Sequence, residues 1–522
     1  RLLLLSSLLL SFVSSLSILI YVNVAGKSHL QFAENLIQLL TANGHTVDAV
    51  MGMLNSQVEL KGDYGIRKLV SVHFPDDPWS AVAAHLSDPF EEASDWSLLK
   101  LNTFRQFTSV SEKLCNLLLN SAEVSKLLST NKYDIALING YDLCLFGIAH
   151  HHKISPVVSY VPTHVFYIQS YYGGQPELPL YENIPIEATS YGDRTTFAAR
   201  VYETLRIFSQ RLLSYTHLNA MNAKFRAHYG EGFPDAADIA RNTSLDFTNS
   251  HQLLEEPKPV SGRVKYIGGV GVPKPKKLTK DLDDLLNLSK NGTVIFSFGT
   301  NILPQKFSKD LQRVIVNTFK RFPEFTFLWK FDGKTPTNAS NVINREWLPQ
   351  TDLLHDHRVV AFISHLGQNS FTESSFAGVP IVAIPFFADQ FHNAQRAAEM
   401  GTAEIVRKSD ITEETLGRAL EKVLLDERYR QRAQELAAMI SALPDTPQRA
   451  FLEGIEFAAK FKNLAPHYRL AGANHHFFVQ IGWDVAALFT VLLIVFTYFL
   501  TKMAIFVIRK VFVHKRGKSK VE

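Results

Sequence analysis

Two cysteines in 522 residues are too few for a disulfide framework or a four-cysteine zinc site. Cys115 sits in a Leu-rich helical stretch and Cys144 follows an apolar segment, so both read as buried thiols and not as a bridge. Charge of one sign is also scarce. Basic residues exceed acidic ones by only four, which argues against nucleic acid as a partner. No internal repeat is present. A chain with 46% hydrophobic and 20% charged residues is not a disordered polypeptide. No convincing metal set appears: His150-His151-His152 would point in different directions from a helix, and His355 and His357 stand alone. What remains is a globular chain, long enough for about three domains or two large ones.

The ends speak about compartment. No charge occurs from Leu2 to Gly26. Either a signal anchor or a cleaved signal peptide fits; the second is preferred. Leu2–Val13 has the length of a signal core, and Val13, Ser14 and Ser15 are small enough for cleavage after Ser15. Ile18–Val24 then reads as a buried strand. At the other end, residues 484–508 form a transmembrane candidate. Its 24 residues from Val485 would span about 36 Å as a helix, with Lys502 snorkelling to one interface and Trp483 at the other. The tail 509–522 is basic and belongs in the cytosol. Lys518 and Lys520 resemble a dilysine retrieval signal. The expectation is a single-pass type I protein of the endoplasmic reticulum membrane, with its body lumenal. Four sequons, at Asn242, Asn287, Asn291 and Asn338, agree with that topology.

Between the ends, strands and helices alternate. Ile18–Val24, Thr46–Val50, Tyr133–Ile138 and Pro156–Tyr160 are strand candidates in the first half, with a helix over His29–Ala42. Thr293–Phe298, Thr326–Lys330, Val359–Ser364 and Ile381–Ile384 are their counterparts in the second, interleaved with helices at Lys306–Arg321, Asn369–Ala377 and His392–Met400. A Pro/Lys/Gly-rich stretch, residues 256–277, reads as a linker. The division is therefore a signal peptide at 1–15, a first domain at 16–255, a second at 278–445, and C-terminal helices at 446–483 before the span. The fold class is α/β: two doubly wound, Rossmann-like domains facing across a cleft, with ligands at the carboxyl ends of the strands.

The densest chemistry runs from Trp347 to Gln390. Phe362–Ser364 ends a strand, His365–Ser370 turns through Gly367, and a helix starts near Asn369. The free amides of that helix start suit a phosphate, and His365 and Asn369 add donors. Glu373 lies one turn further on the same face, placed to accept both hydroxyls of a ribose. Trp347 offers a stacking face for a base, worth about 1–3 kcal/mol, and the Gln350 amide matches an edge of uracil. Asp389 and Gln390 follow a strand and a turn, where they can bind sugar hydroxyls.

The order Trp347, Gln350, His365, Gly367, Asn369, Ser370, Glu373, Pro385, Asp389, Gln390 resembles the signature of the UDP-glycosyltransferase family, most like the membrane-bound animal UDP-glucuronosyltransferases. The likeness extends to the linker, to Ser297-Phe298-Gly299-Thr300 and to the span, so to nearly the whole chain. It implies the GT-B type of two-domain fold. It also implies that Trp347 and Gln350 hold uracil, Glu373 ribose, His365, Gly367, Asn369, Ser370 and Thr300 the diphosphate, and Asp389 and Gln390 the donor sugar. Leu366 departs from the family, where many members have Gly. The implied reaction is inverting transfer of a sugar, glucuronic acid first and glucose next, from a UDP-sugar to a small lipophilic acceptor, in detoxification or the conjugation of hormones and metabolites. The UDP-sugar is a co-substrate; no cofactor and no metal is implied. Self-association or pairing with another membrane subunit stays open. A UDP-sugar epimerase shares the two-domain arrangement, but the anchor and the 347–390 run argue against it.

A base is needed to take the acceptor's proton, and imidazole suits that task near neutral pH. The family carries one at the end of the first strand, where this chain has Gly26-Lys27-Ser28-His29. Its partner acid is less clear. The family acid stands five residues before the Cys; here that position is Asn139, and Asp142 follows three residues later. Asp142 is favoured as the partner, Asn139 is the alternative, and Asp142 also reads as a helix cap. With neither working, His29 is a weak base suited to acidic phenols or carboxylic acids, or the chain is a catalytically weak UDP-sugar-binding subunit. Phe74, Trp79, Phe90, Trp96 and the Phe166–Tyr172 stretch supply apolar material for an acceptor pocket.

Overall fold

Every residue from Ile18 to Val24 is buried, on both sides of the strand. A strand covered on both faces belongs to the middle of a parallel sheet between two helical layers, and the computed structural model shows that arrangement twice. It describes residues 15–24, 26–55, 58–60, 62–74, 100–164, 196–300, 302–335, 337–475, 477–480 and 482–518. The expected signal core Leu2–Val13, the aromatic residues Trp79, Phe90, Trp96 and 166–172, and Lys520 lie outside the described residues.

The first unit contains β1 (Ser17–Val24), α1 (Lys27–Ala42), β2 (Thr46–Met53), β3 (Ile66–His73), α2 (Lys100–Leu119), α3 (Ala122–Thr130), β4 (Ile135–Asn139), α4 (Cys144–His151), β5 (Val157–Val161), α5 (Phe197–Tyr229), α6 (Ala236–Arg241), β6 (Asp246–Thr248) and β7 (Val264–Tyr266). The second contains α7 (Lys280–Leu286), β8 (Thr293–Ser297), α8 (Lys309–Lys320), β9 (Thr326–Lys330), β10 (Val342–Arg345), α9 (Gln350–Leu354), β11 (Val359–Ser364), α10 (Gln368–Ala377), β12 (Ile381–Ala383), α11 (Asp389–Glu399), β13 (Ala403–Ile405), α12 (Glu413–Leu425) and α13 (Glu427–Ala442). There follow α14 (Pro447–Lys460), α15 (Ala465–Tyr468), α16 (Phe477–Gln480) and α17 (Trp483–Lys518). The sheets run β3-β2-β1-β4-β5-β6-β7 and β10-β9-β8-β11-β12-β13, with all pairings parallel.

The period of two along β1 sorts its side chains into two cores. Leu19 and Tyr21 pack with α2, α4 and α5, through Leu114, Phe146 and Phe225. Ile18, Ile20, Val22 and Val24 face α1, through Leu30, Ala33, Leu36 and Ile37. That second core is completed by Phe451, Ile455 and Ala458 of α14. The last helix of the body therefore leaves the second domain and closes on the first, where Phe451 meets Phe247 of β6 at 5.1 Å between ring centres.

The two cysteines correct the sequence-based expectation: Cys115 and Cys144 are bridged. Cys115 lies on α2 and Cys144 opens α4, and both helices cover the same face of the sheet, which brings their Cα atoms to 5.4 Å. Each cysteine alone looked like a core residue, and each is one; the pairing is a property of the helix packing.

α17 is exposed from Trp483 to Lys510. Its segment Trp483–Lys510 is long and apolar enough to cross a membrane.

Candidate active site

In a doubly wound sheet the crevice for ligands opens where the strand order reverses. Here the reversals fall between β1 and β4 and between β8 and β11. His29 follows β1, Tyr141 and Asp142 follow β4, Gly299 and Thr300 follow β8, and His365 follows β11. Nearly all the residues singled out above come from these four strand ends or the helices just after β11 and β12.

Two helix starts form the floor on the second domain. α10 begins after Leu366 and Gly367; the Gln368 amide is taken by Asp389, which leaves the amides of Asn369 and Ser370 to face a ligand. Leu366 has φ +59°, a left-handed conformation, while Gly367 does not. The departure from the family thus falls on the residue that most wants glycine, and the turn survives with Leu in it. Its buried side chain packs with Phe371, Ile381 and Ala394. α11 begins after Ala388, another non-glycine at positive φ (+55°). Asp389 Oδ2 accepts from the Gln368 amide at 3.0 Å and from Asn393 Nδ2 at 3.1 Å, tying the two helix starts together. Gln390 Oε1 accepts from the amides of Phe386 and Phe387. Gln350, the first residue of α9, donates through Nε2 to Glu373 Oε2 at 2.7 Å and to Ser370 Oγ at 3.3 Å. Burial pushes the Glu373 carboxyl up to about 7, because little around it replaces the water a carboxylate loses.

His365 is held between two glycines. A Cβ on Gly299 or on Gly367 would come within 2.8 Å of its ring, and Gly299 also has φ +71°. Burial and the nearby Lys330 ammonium lower His365 to about 4, so the ring is neutral and its Nδ1 has no partner among the described residues. Lys330 was not recognised from the sequence. It ends β9, donates through Nζ to the Gly299 carbonyl at 2.7 Å and stands 4.8 Å above the Trp347 ring. Only its place at the last position of a predicted strand pointed to the cleft. Lys27 reaches the same indole from the first domain, at 5.9 Å. Trp347 is 65% exposed, so its ring is open to a stacking partner.

His29 sits in the first turn of α1, with its ring 5.4 Å from that of Tyr141. The Tyr141 hydroxyl pairs with Thr163 Oγ1 at 2.9 Å, and the Asp389 charge of the opposite domain acts on it. Asp142 is not brought to His29. Its carboxylate accepts from Asn23 Nδ2 and from the Cys144 amide, both at 2.9 Å, and from the Tyr21 hydroxyl. Asn139 Oδ1 accepts from the Tyr141 amide at 3.0 Å. His29 Nδ1 has no hydrogen-bond partner among the described residues. Desolvation alone moves its pKa, down to about 4. The reason is directional: Asp142 turns back to the first amide of α4 and to Asn23 on β1, although the N-cap position of α4 itself is Leu143, so the capping reading is not met.

The domains touch around this site. Asn249 Nδ2 donates to Asn369 Oδ1 at 3.2 Å. The rings of His164 and His392 lie 4.3 Å apart, and His392 Nε2 is 3.5 Å from Glu255. None of Asn249, His164, Glu255 or His392 stood out in the sequence, since single polar residues in loops carry no pattern.

The comparisons with known proteins agree with this geometry. The model of the family described as "UDP-glucoronosyl and UDP-glucosyl transferase" matches residues 19–519. Human UDP-glucuronosyltransferase 1A10 is 27% identical over 481 residues, covering 90% of this chain and 88% of the relative. UDP-glucosyltransferase 2 of Dactylopius coccus is 25% identical over 504 residues, covering 94% and 93%. Among solved structures, the calicheamicin glycosyltransferase CalG4 superposes with a TM-score of 0.55 at 16% identity, covering 87% of this chain and all of that one. A UDP-glucosyltransferase from Polygonum tinctorium superposes with 0.56 at 15% identity, covering 85% and 99%. These likenesses establish the GT-B arrangement of the two domains.

Proposed function

The chain belongs to the UDP-glycosyltransferase family, and from that premise we propose that it transfers glucuronic acid from its UDP-sugar to acidic hydroxyls, phenols above all, of small lipophilic acceptors. The observation that carries the acceptor class is the His29 imidazole, neutral and without a carboxylate partner among the described residues. A base held near 4 takes a proton poorly from an aliphatic alcohol; a phenol, with a pKa of about 10, gives it up at lower cost.

In this reading the uracil stacks on Trp347, its edge meets Gln350, and the ribose hydroxyls donate to Glu373. The diphosphate lies at the α10 start among His365, Gly367, Asn369 and Ser370, with Thr300 opposite. Asp389 and Gln390 hold the sugar. His29 accepts the acceptor's proton as its oxygen bonds to the anomeric carbon, the bond to UDP breaks, and the leaving charge is met by the α10 amides. Attack opposite the leaving group inverts the anomeric centre. α17 crosses the endoplasmic reticulum membrane with the body lumenal, and the exposed Asn242, Asn287, Asn291 and Asn338 are available for glycosylation.

Glucose is the second reading for the sugar, favoured by the likeness to the Dactylopius enzyme. Membranes carrying the full chain, a panel of phenols and alcohols, and a set of UDP-sugars decide it by product mass, with His29→Ala beside the native protein. The expected product is a phenolic glucuronide, lost in His29→Ala while UDP binding persists. UDP binding without a conjugate from any donor would instead make the chain a sugar-nucleotide-binding subunit.

A further inference from the structure

Helix α5 has two apolar sides. One is ordinary: Ile207, Leu218, Met221 and Phe225 are buried. The other carries Phe197, Val201, Leu205, Phe208, Leu212 and Tyr215, at spacings of four, four, three, four and three. At 100° per residue these six fall within an arc of about 80°, a stripe about 27 Å long. Five of them leave between 42% and 76% of their surface exposed. A stripe of this size is not what a soluble surface displays.

The sixth residue shows what covers the rest. Phe208, in the middle of the stripe, lies 6.1 Å from the ring of Phe478 and 5.9 Å from that of Trp483. Trp483 is the first residue of the candidate span, and Phe478 precedes it on α16. The stripe is thus continuous with the point where the chain enters the bilayer. Trp and Tyr at a membrane boundary favour the headgroup level, and Tyr215 and Trp483 occupy the two parts of this patch.

We propose that α5 lies in the interfacial layer of the bilayer that α17 crosses, burying the stripe from Phe197 to Tyr215 among lipid, so that the first domain has a second membrane contact besides its anchor. The occupant is lipid. A second copy of the chain would also suit a stripe with this spacing, but it would have to fit against the bilayer at Trp483. The contact rests on reading Trp483–Lys510 as a span, and holds the first domain with its cleft at a fixed height above the membrane. Burial of apolar surface makes such a contact favourable without a specific lipid.

The native cysteines are bridged to each other, so one added cysteine is the sole thiol for a fluorophore. The full chain is reconstituted in phosphatidylcholine nanodiscs with the label at Leu205→Cys, Leu212→Cys, Leu492→Cys in the span, or Glu421→Cys on α12. Lipid-borne nitroxides are then added. The labels at 205 and 212 are expected to lose most of their emission, as the label at 492 does, while that at 421 keeps it. Quenching at 492 with none at 205 and 212 overturns the inference. An apolar emission shift at 205 and 212 without lipid quenching, together with crosslinking between copies, overturns it in favour of self-association. Absence of quenching at 492 fails the span, and the inference with it.

Discussion

Two residues beside the donor site adopt backbone conformations that favour glycine, and replacing each by glycine should have different effects. Leu366 and Ala388 have φ of +59° and +55°. A left-handed conformation costs a residue with a Cβ about 1–2 kcal/mol, so strain alone predicts that both glycine variants stabilise. Burial decides otherwise for Leu366, which is fully buried against Phe371, Ile381 and Ala394. Removing such a leucine to alanine costs about 2–5 kcal/mol, and the further step to glycine adds about 0.5–1 in chain entropy. Subtracting the relieved strain leaves Leu366→Gly destabilised by about 3 kcal/mol. Ala388 has one methyl to lose, so Ala388→Gly should be neutral or more stable by about 1 kcal/mol. The gap of about 3–4 kcal/mol between variants is large against any common error. Urea unfolding of the full chain in detergent, followed by tryptophan emission, reads it. Trp329 is fully buried in the same domain and reports that unit. A midpoint for Leu366→Gly at or above the native one would refute the reasoning, and would mean that backbone strain outweighs the packed side chain.

Five further outcomes are expected. Cys115→Ser opens a loop closed over a separation of 29 residues and should cost about 3–4 kcal/mol, read as a lower urea midpoint that reducing agent also produces in the native chain. Because Glu373 stands near 7 and its ribose role needs the ionised form, donor KM should rise as pH falls below about 7, and Glu373→Gln should flatten that dependence at a uniformly weaker affinity. The same raised value makes the folded chain hold a proton that the unfolded one releases, so stability from this group is lost as pH rises from 4.5 to about 7, most visibly in native minus Glu373→Gln unfolding curves. Asp142→Asn should lower stability and leave the shape of the transferase pH profile unchanged, since the carboxylate serves Asn23 and the Cys144 amide; a displaced profile would restore it as the partner of His29. Asp246→Ala should destabilise by about 3–5 kcal/mol in thermal unfolding, because it leaves the buried Arg263 guanidinium, now 2.5 Å from the carboxylate, without its charge partner.

The long, doubly covered strands were legible because burial on both faces writes an unbroken apolar run: β1, β9 and β11 emerge within a residue of their predicted limits. β6, β7, β10 and β13 were not, as three or four residues carry no period. β3 is an edge strand whose Arg67, Lys68 and Leu69 are all exposed, so its pattern is that of a surface. The donor side of the site was readable because Trp347 to Gln390 is one stretch of chain, each residue at a fixed offset from a strand end or helix start. The acceptor side was not, because it depends on where side chains turn after β4. Asp142 and Asn139 were both in range of His29 by spacing, and only the bonds from the Cys144 amide and from Asn23 show that Asp142 faces away. Lys330 and Lys27 converge on one indole from different domains, which no local pattern records.

α14 makes the second domain an insertion. The chain leaves the first unit through residues 256–277 and comes back as α14, whose Phe451, Ile455 and Ala458 are built into the core around β1. The candidate span thus continues from the first unit, and the second hangs between two tethers. A body held at two neighbouring points keeps one easy rotation, about the line that joins them. Under the proposed assignment, the half that receives a membrane-dissolved acceptor is moored beside its source, and the half that swings is the one whose sugar nucleotide arrives from water. The stator and the rotor of this two-part machine are set by where the polypeptide makes its final turn.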